Sequence, residues 1–289
     1  MLGTGAVLTC FIGLYGYLSP VNHAWIERLT SGPGDQSSAL LTLMPLVLVA
    51  IWLARAEKAS RALQRTLWVL PLLVLAAAYA TLNRTVWLGF AMELIVMAVL
   101  LLPRPEFKPL LTRGRAKLLA GLIAVAIVGG VALVMMQVLE KRGNVSLETT
   151  VASDPRMQIW VAAVDTIKER PVTGLGFGRG IDRQSLNEEL GNPLFWHAHN
   201  LVLETAVDTG LIGAALLLLL IGMTAHKAFR QARHEVTQPA ACGTALVAIV
   251  AGMIMRNMTD TLLVRQNALL YWGVAALLLG LATVRRGRG

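Results

Sequence analysis

Long apolar blocks, interrupted at intervals by short clusters of arginine and lysine, set the pattern along this chain. From Ala116 to Leu139 the only charge is Lys117. A helix with one face in water would be interrupted every second or third position, so such a block reads as a helix in hydrocarbon. Taken in turn, the blocks predict eight spans, near 1–20, 38–54, 66–82, 85–103, 116–138, 200–225, 240–258 and 265–284. Each approaches the roughly 20 residues that cross a hydrocarbon core of about 30 Å. The fold class read from this is all-α, a polytopic transmembrane bundle of about eight spans. Its organisation is one integrated domain with helices 1–5 in 1–138, an external segment in 139–199 and helices 6–8 in 200–289. The first span lacks a basic start and a small-residue cleavage pattern, so it reads as retained rather than as a signal peptide.

Composition agrees, with 55% hydrophobic and 15% charged residues and a mean hydropathy of +0.61, where a soluble chain carries about 25% charge. Cys10 and Cys242 both lie inside apolar runs, which supports neither a disulfide framework nor a cysteine metal site. The net charge of +9 would raise nucleic acid as a partner in a soluble protein. Here its distribution carries the information. The connections 55–65, 104–115 and 226–239, the tail 285–289 and Lys117 hold 15 basic residues, while the short connections opposite hold only Arg28, Arg84, Arg256 and Arg265, and the long segment 139–199 is nearly neutral. The positive-inside rule then makes the first set cytoplasmic, puts both termini inside, and leaves 139–199 outside.

Within the external segment, Asp154-Pro155 reads as a helix start, and Met157, Trp160, Val161, Val164 and Ile167 recur at helical spacing until Pro171. This predicts a short amphipathic helix at the membrane interface, with Trp160 and the aliphatics toward lipid or bundle and Asp165, Lys168 and Glu169 toward water. The alternate glycines from Gly174 to Gly180 follow no strand and lead into no suitably spaced helix, so they read as a flexible turn and not a nucleotide loop.

Where the chain re-enters the membrane it reads Trp196-His-Ala-His-Asn-Leu-Val-Leu-Glu-Thr-Ala-Val-Asp-Thr-Gly-Leu-Ile-Gly213. The succession His199, Asn200, Gly210, Gly213 resembles the signature of the O-antigen ligase family of bacterial envelope glycosyltransferases, which also holds O-antigen polymerases and protein oligosaccharyltransferases. Arg84 in Asn-Arg-Thr-Val-Trp87 and Arg156 in Asp-Pro-Arg-Met-Gln-Ile-Trp160 are similar to family positions, as is Arg28 in Arg-Leu-Thr-Ser-Gly-Pro-Gly34. Members of the family usually have about a dozen spans, against eight read here.

The residues also speak for themselves. An imidazole with an ordinary pKa near 6.5 can take a proton from a hydroxyl at neutral pH, and His199 sits at the mouth of a span. It and His197 could equally form a polar interfacial pair beside Trp196. Arg84 lies on the side where basic residues are disfavoured, with no acid within eight positions, so it either meets an anion such as pyrophosphate or snorkels to headgroups. Arg156 either does the same or pairs with Asp154. Glu204 and Asp208 are four residues apart and share a helix face that must avoid lipid. Glu204 could orient a catalytic group or pair with an arginine such as Arg256, and Glu93 poses the same question mid-span. Gly210 and Gly213 read as positions where a neighbouring helix approaches closely, and Asp260 and Arg265 are assigned to acceptor contacts. No Asp-x-Asp, no histidine pair at metal spacing and no acidic cluster points to a divalent ion.

The resemblance implies an inner-membrane enzyme facing the periplasm. It would transfer a glycan from undecaprenyl pyrophosphate to a sugar hydroxyl of lipid A-core, with inversion, among membrane lipids and without cofactor, metal or nucleic acid. His199 would be the base, Arg84 and Arg156 would hold the pyrophosphate, and Asn200, Glu204, Asp208, His197 and Arg28 would support them. The same resemblance covers a polymerase or a protein O-oligosaccharyltransferase. A transporter of lipid-linked glycans is the alternative from another class, although matching halves with broken spans are not visible.

Overall fold

The structure is a computed structural model and describes residues 35–81, 83–107, 155–176 and 197–284. The described residues form seven α-helices and no strand: α1 (Asp35–Ala56), α2 (Arg61–Ala80), α3 (Arg84–Leu101), α4 (Pro155–Glu169), α5 (Leu201–Ala232), α6 (Thr237–Asn257) and α7 (Arg265–Val284). The all-helical class read from the sequence is what the structure shows. The expected spans at 1–20 and 116–138, and Arg28, lie outside the described residues. Four helices, α1 from Ser37, α2, α5 and α6, are long and apolar enough to cross a membrane, with Thr85–Leu101 a shorter apolar helix. The expected count of about eight therefore stands against four such helices among the described residues.

The chain divides into two compact units. In the first, α1 packs against α2, α3 and α7. Leu40, Leu41, Met44 and Trp52 of α1 are buried, whereas α2 leaves Trp68, Val69, Leu72 and Tyr79 exposed, as a lipid-facing helix does. Ser60 caps α2 by accepting from Leu63 N–H at 3.3 Å, which starts this helix at Arg61, earlier than the apolar block indicates. Asn83 caps α3 in the same way, its Oδ1 accepting from Thr85 N–H at 3.2 Å. Small residues bring backbones together here: Ala240, Ala241, Ala245 and Ala248 of α6 are fully buried, and a Cβ on Gly243 would collide with the backbone of Ala228 and Ala232. α5 reaches Ala232, beyond the apolar block that predicts its end near 225, because Ala228 and Ala232 keep a buried stripe while Lys227 and Arg230 face outward.

The second unit contains α4, the segment 171–176, the motif 197–200 with α5 to Thr224, and the residues Arg256–Val264 that link α6 to α7. Its core is Ile159, Ala162 and Ala163 of α4 with Ala198 and Val207, flanked by Ile167, Leu175 and Leu203. The amphipathic helix is present, and the face it packs on the rest of the unit is made largely of small residues. Met157, Val161 and Val164 are exposed, and the two alanines with Ile159 face inward.

Candidate functional site

Asn200 organises the motif. Its Oδ1 accepts from Val202 N–H at 3.0 Å and Leu203 N–H at 3.2 Å, capping α5, and its backbone carbonyl accepts from Glu204 N–H at 2.9 Å. His199 therefore stands just outside the helix, and its φ of 49° lies in the left-handed region that a non-glycine residue adopts only when its surroundings enforce it. Asn200 Nδ2 also donates to Met258 O at 3.2 Å, tying the motif to the α6–α7 connection.

Ala198, between the two histidines, is 1% exposed and held at both ends of its backbone. Its N–H donates to Glu204 Oε2 at 3.0 Å, and its carbonyl accepts from the Trp160 indole N–H at 2.9 Å. The polar edge of Trp160 is thus engaged by the motif. Glu204 Oε2 accepts a second bond, from Thr261 Oγ1 at 3.0 Å. Of the two roles open to Glu204 in the sequence, the arginine pairing is not what the structure shows for Arg256, whose Nη2 meets Asp260 Oδ2 at 3.0 Å.

Asp260, which the sequence assigns to acceptor contacts, lies beside the two histidines. Its Oδ1 lies 3.6 Å from His199 Nδ1 and 3.8 Å from His197 Nε2, and accepts from Thr261 N–H at 2.9 Å. The His199 contact is slightly longer than a hydrogen bond, close enough for charge attraction and for a bond after a small ring movement. Burial pushes the Asp260 carboxyl up, but His199, the Arg256 guanidinium and the Thr261 N–H together hold it well below the usual carboxylate range. Asn257 Oδ1 closes this connection by accepting from Leu262 N–H at 2.8 Å and Leu263 N–H at 3.2 Å. The two imidazoles stack edge to face with centroids 3.7 Å apart.

His197, His199 and Asp260 bring one donor atom each within 4.8 Å. The expectation of no histidine pair at metal spacing is corrected here: His197 and His199, two residues apart in the sequence, turn a nitrogen each toward a carboxylate that folding brings from far along the chain. These are zinc-type ligands. The second oxygen of Asp260 is engaged by Arg256, whose side chain is 3% exposed, and a cation so close opposes another cation.

Arg156, in the first turn of α4, is half-buried and lies within charge range of Arg256. Arg84 opens α3 in the first unit, and its side chain lies outside the described residues. Asp208 is half-buried, and its carbonyl accepts from Gly176 N–H at 2.9 Å. This bond exists because α5 breaks at Gly210, where φ is 72° and ψ −179°. The break lets Val207 O accept from Leu175 N–H at 2.8 Å and Leu211 N–H reach Pro171 O at 2.7 Å. A Cβ on Gly210 would collide with the Val172 carbonyl. What approaches Gly210 is thus the segment 171–176 and not a neighbouring helix, and a Cβ on Gly213 would meet Thr209 of its own helix. For Gly174 and Gly176, expected in a flexible turn, the structure shows a backbone docked on α5.

The O-antigen ligase family model matches residues 69–218, from α2 to the middle of α5, which include Arg84, Arg156 and the whole His199–Gly213 motif. The chain belongs to the O-antigen ligase family. With its several apolar helices it is a multi-pass membrane protein. Two curated relatives, each named "Putative polysaccharide ligase", are 29% identical over 195 residues in Rickettsia bellii and 27% identical over 198 residues in Rickettsia felis. Both matches cover 65% of this chain and 44% of the relative, so the matched region spans less than half the length of these relatives. Asp260 and Thr261 lie outside the region that defines the family match.

Proposed function

We propose that this O-antigen ligase family member is a glycosyltransferase that moves a glycan from undecaprenyl pyrophosphate to a sugar hydroxyl of lipid A-core at the periplasmic face of the inner membrane. The observation that carries the reading is the backbone-fixed His199 beside a half-buried, arginine-paired Asp260. With Nδ1 turned to the carboxylate, that nitrogen holds the ring proton and the Nε2 lone pair is left to take the acceptor's proton. The carboxylate then stabilises the imidazolium.

As the acceptor oxygen bonds to the anomeric carbon, the carbon–oxygen bond to the pyrophosphate breaks and its electron pair leaves with the phosphate. The acceptor proton ends on His199. Direct displacement with one base inverts the anomeric centre. Arg156 and Arg84 serve as guanidinium forks for the diphosphate, neutralising the charge that grows on the leaving group without calling on a metal. Asn200 and Glu204 maintain the shape of the motif.

The test is incubation of the purified protein in vesicles with labelled undecaprenyl-pyrophosphate oligosaccharide and a panel of acceptors: lipid A-core, a second lipid-linked glycan, and a protein. Label on lipid A-core is expected. Label on either other acceptor replaces the acceptor assignment, and relocation of donor without transfer overturns the enzymatic reading.

A further inference from the structure

One carboxylate oxygen joins the two chain segments that form the site. Glu204 Oε2 accepts from Ala198 N–H, in the residue immediately before His199, and from Thr261 Oγ1, in the residue immediately after Asp260. Glu204 is 5% exposed, Ala198 1% and Thr261 5%, so these bonds form away from water, where an unmatched partner is costly. The residues they fix are those whose geometry needs enforcing. His199 holds a left-handed backbone, and its Nδ1 must find Asp260 across a connection that is otherwise tied to the motif by Asn200 Nδ2 on Met258 O. Trp160 holds the opposite end of the Ala198 backbone, so the residue leading into His199 is bonded at both its N–H and its carbonyl.

We infer that Glu204 is a positioning residue for the His199–Asp260 pair, acting through the Ala198 N–H and the Thr261 hydroxyl without touching substrate. This rests on the reading of His199 as the base. It assigns the buried acid of the motif a chemical purpose distinct from proton transfer. A carboxamide oxygen can accept the same two bonds, so Glu204→Gln keeps both of them.

The full chain, reconstituted with undecaprenyl-pyrophosphate oligosaccharide and lipid A-core, tests this with Glu204→Ala, Glu204→Gln, Thr261→Val and His199→Ala. Glu204→Ala is expected to lower kcat roughly a hundredfold, the scale of a misplaced catalytic group, with donor KM nearly unchanged. Glu204→Gln is expected to restore kcat to within about threefold of the parent, and Thr261→Val to lower it about tenfold, the scale of one lost hydrogen bond. A purely structural role would reduce the amount of folded protein and donor binding together and leave kcat per folded molecule unchanged, which overturns the inference. Should Glu204→Ala fail to fold, Thr261→Val and Glu204→Gln decide: an unchanged kcat in the first, or a kcat as low as that of His199→Ala in the second, overturns it. Retained turnover in His199→Ala removes the base itself. A dead His199→Ala beside an unaffected Glu204→Ala rejects only the positioning role.

Discussion

Nδ1 of His199 and Oδ1 of Asp260 stand 3.6 Å apart, one residue just ahead of α5 and the other in the connection after α6. In the proposed mechanism the carboxylate sets which ring nitrogen keeps its proton. Asp260→Asn preserves size but can present an N–H to the ring, which favours the wrong tautomer. Transfer is expected to fall by about 10²–10⁴-fold with donor affinity retained, on the scale seen when a base loses its orienting carboxylate. Steady-state rates with a parallel donor-binding assay check this; a rate within a few-fold of the parent would show that Asp260 does not orient the base.

The same carboxyl makes stability depend on pH. Its folded-state pKa is depressed, so its contribution is present in full above the unfolded-state value of about 4 and is lost as pH falls below that toward the folded value. In detergent, the melting temperature of the parent should exceed that of Asp260→Asn at pH 7, and the gap should narrow below about pH 4. A gap that widens on acidification would reverse the assignment.

Much of this architecture was open to reading from the sequence, and the reasons for the failures are physical. Hydrophobic blocks predict α1, α5, α6 and α7 because twenty apolar residues in a row have few other uses. That Ala162 and Ala163 of α4 pack the core was not legible, because alanines weigh little beside Met157 and Val161 in a hydrophobic pattern. His199 and Asn200 could be found by their motif. Asp260 could not, because it joins His199 only through bonds such as Asn200 to Met258 and Glu204 to Thr261, which no spacing along the chain records.

The break at Gly210 carries the docking of the segment 171–176. Gly210→Ala places a side chain on a left-handed backbone and against the Val172 carbonyl. A loss of roughly 1–3 kcal/mol is expected, seen as a lower melting temperature and faster amide exchange at Leu175 and Gly176. Exchange that stays slow at both amides would show that this docking does not depend on the glycine.

Charge removal at the donor clamp should act on binding. Arg156→Ala and Arg84→Ala are each expected to weaken affinity for the lipid-linked donor about tenfold or more, as the loss of a charge-assisted hydrogen bond does. Titration with labelled donor measures this, and affinity unchanged in both variants would reject the clamp.

The cluster of His197, His199 and Asp260 allows a direct test of metal need. Because Arg256 occupies the other carboxylate oxygen, chelation is expected to leave the transfer rate unchanged. Loss of activity on chelation, with recovery on added zinc, would make the three residues ligands and not a base with its partner.

The central claim is that His199 removes the acceptor proton. Rapid-mixing measurement of one round of transfer by His199→Ala, with donor occupancy followed in the same sample, tests it most directly. The account predicts a folded protein that fills with donor and forms no product. Product formed at the parental rate from the same occupancy would contradict it.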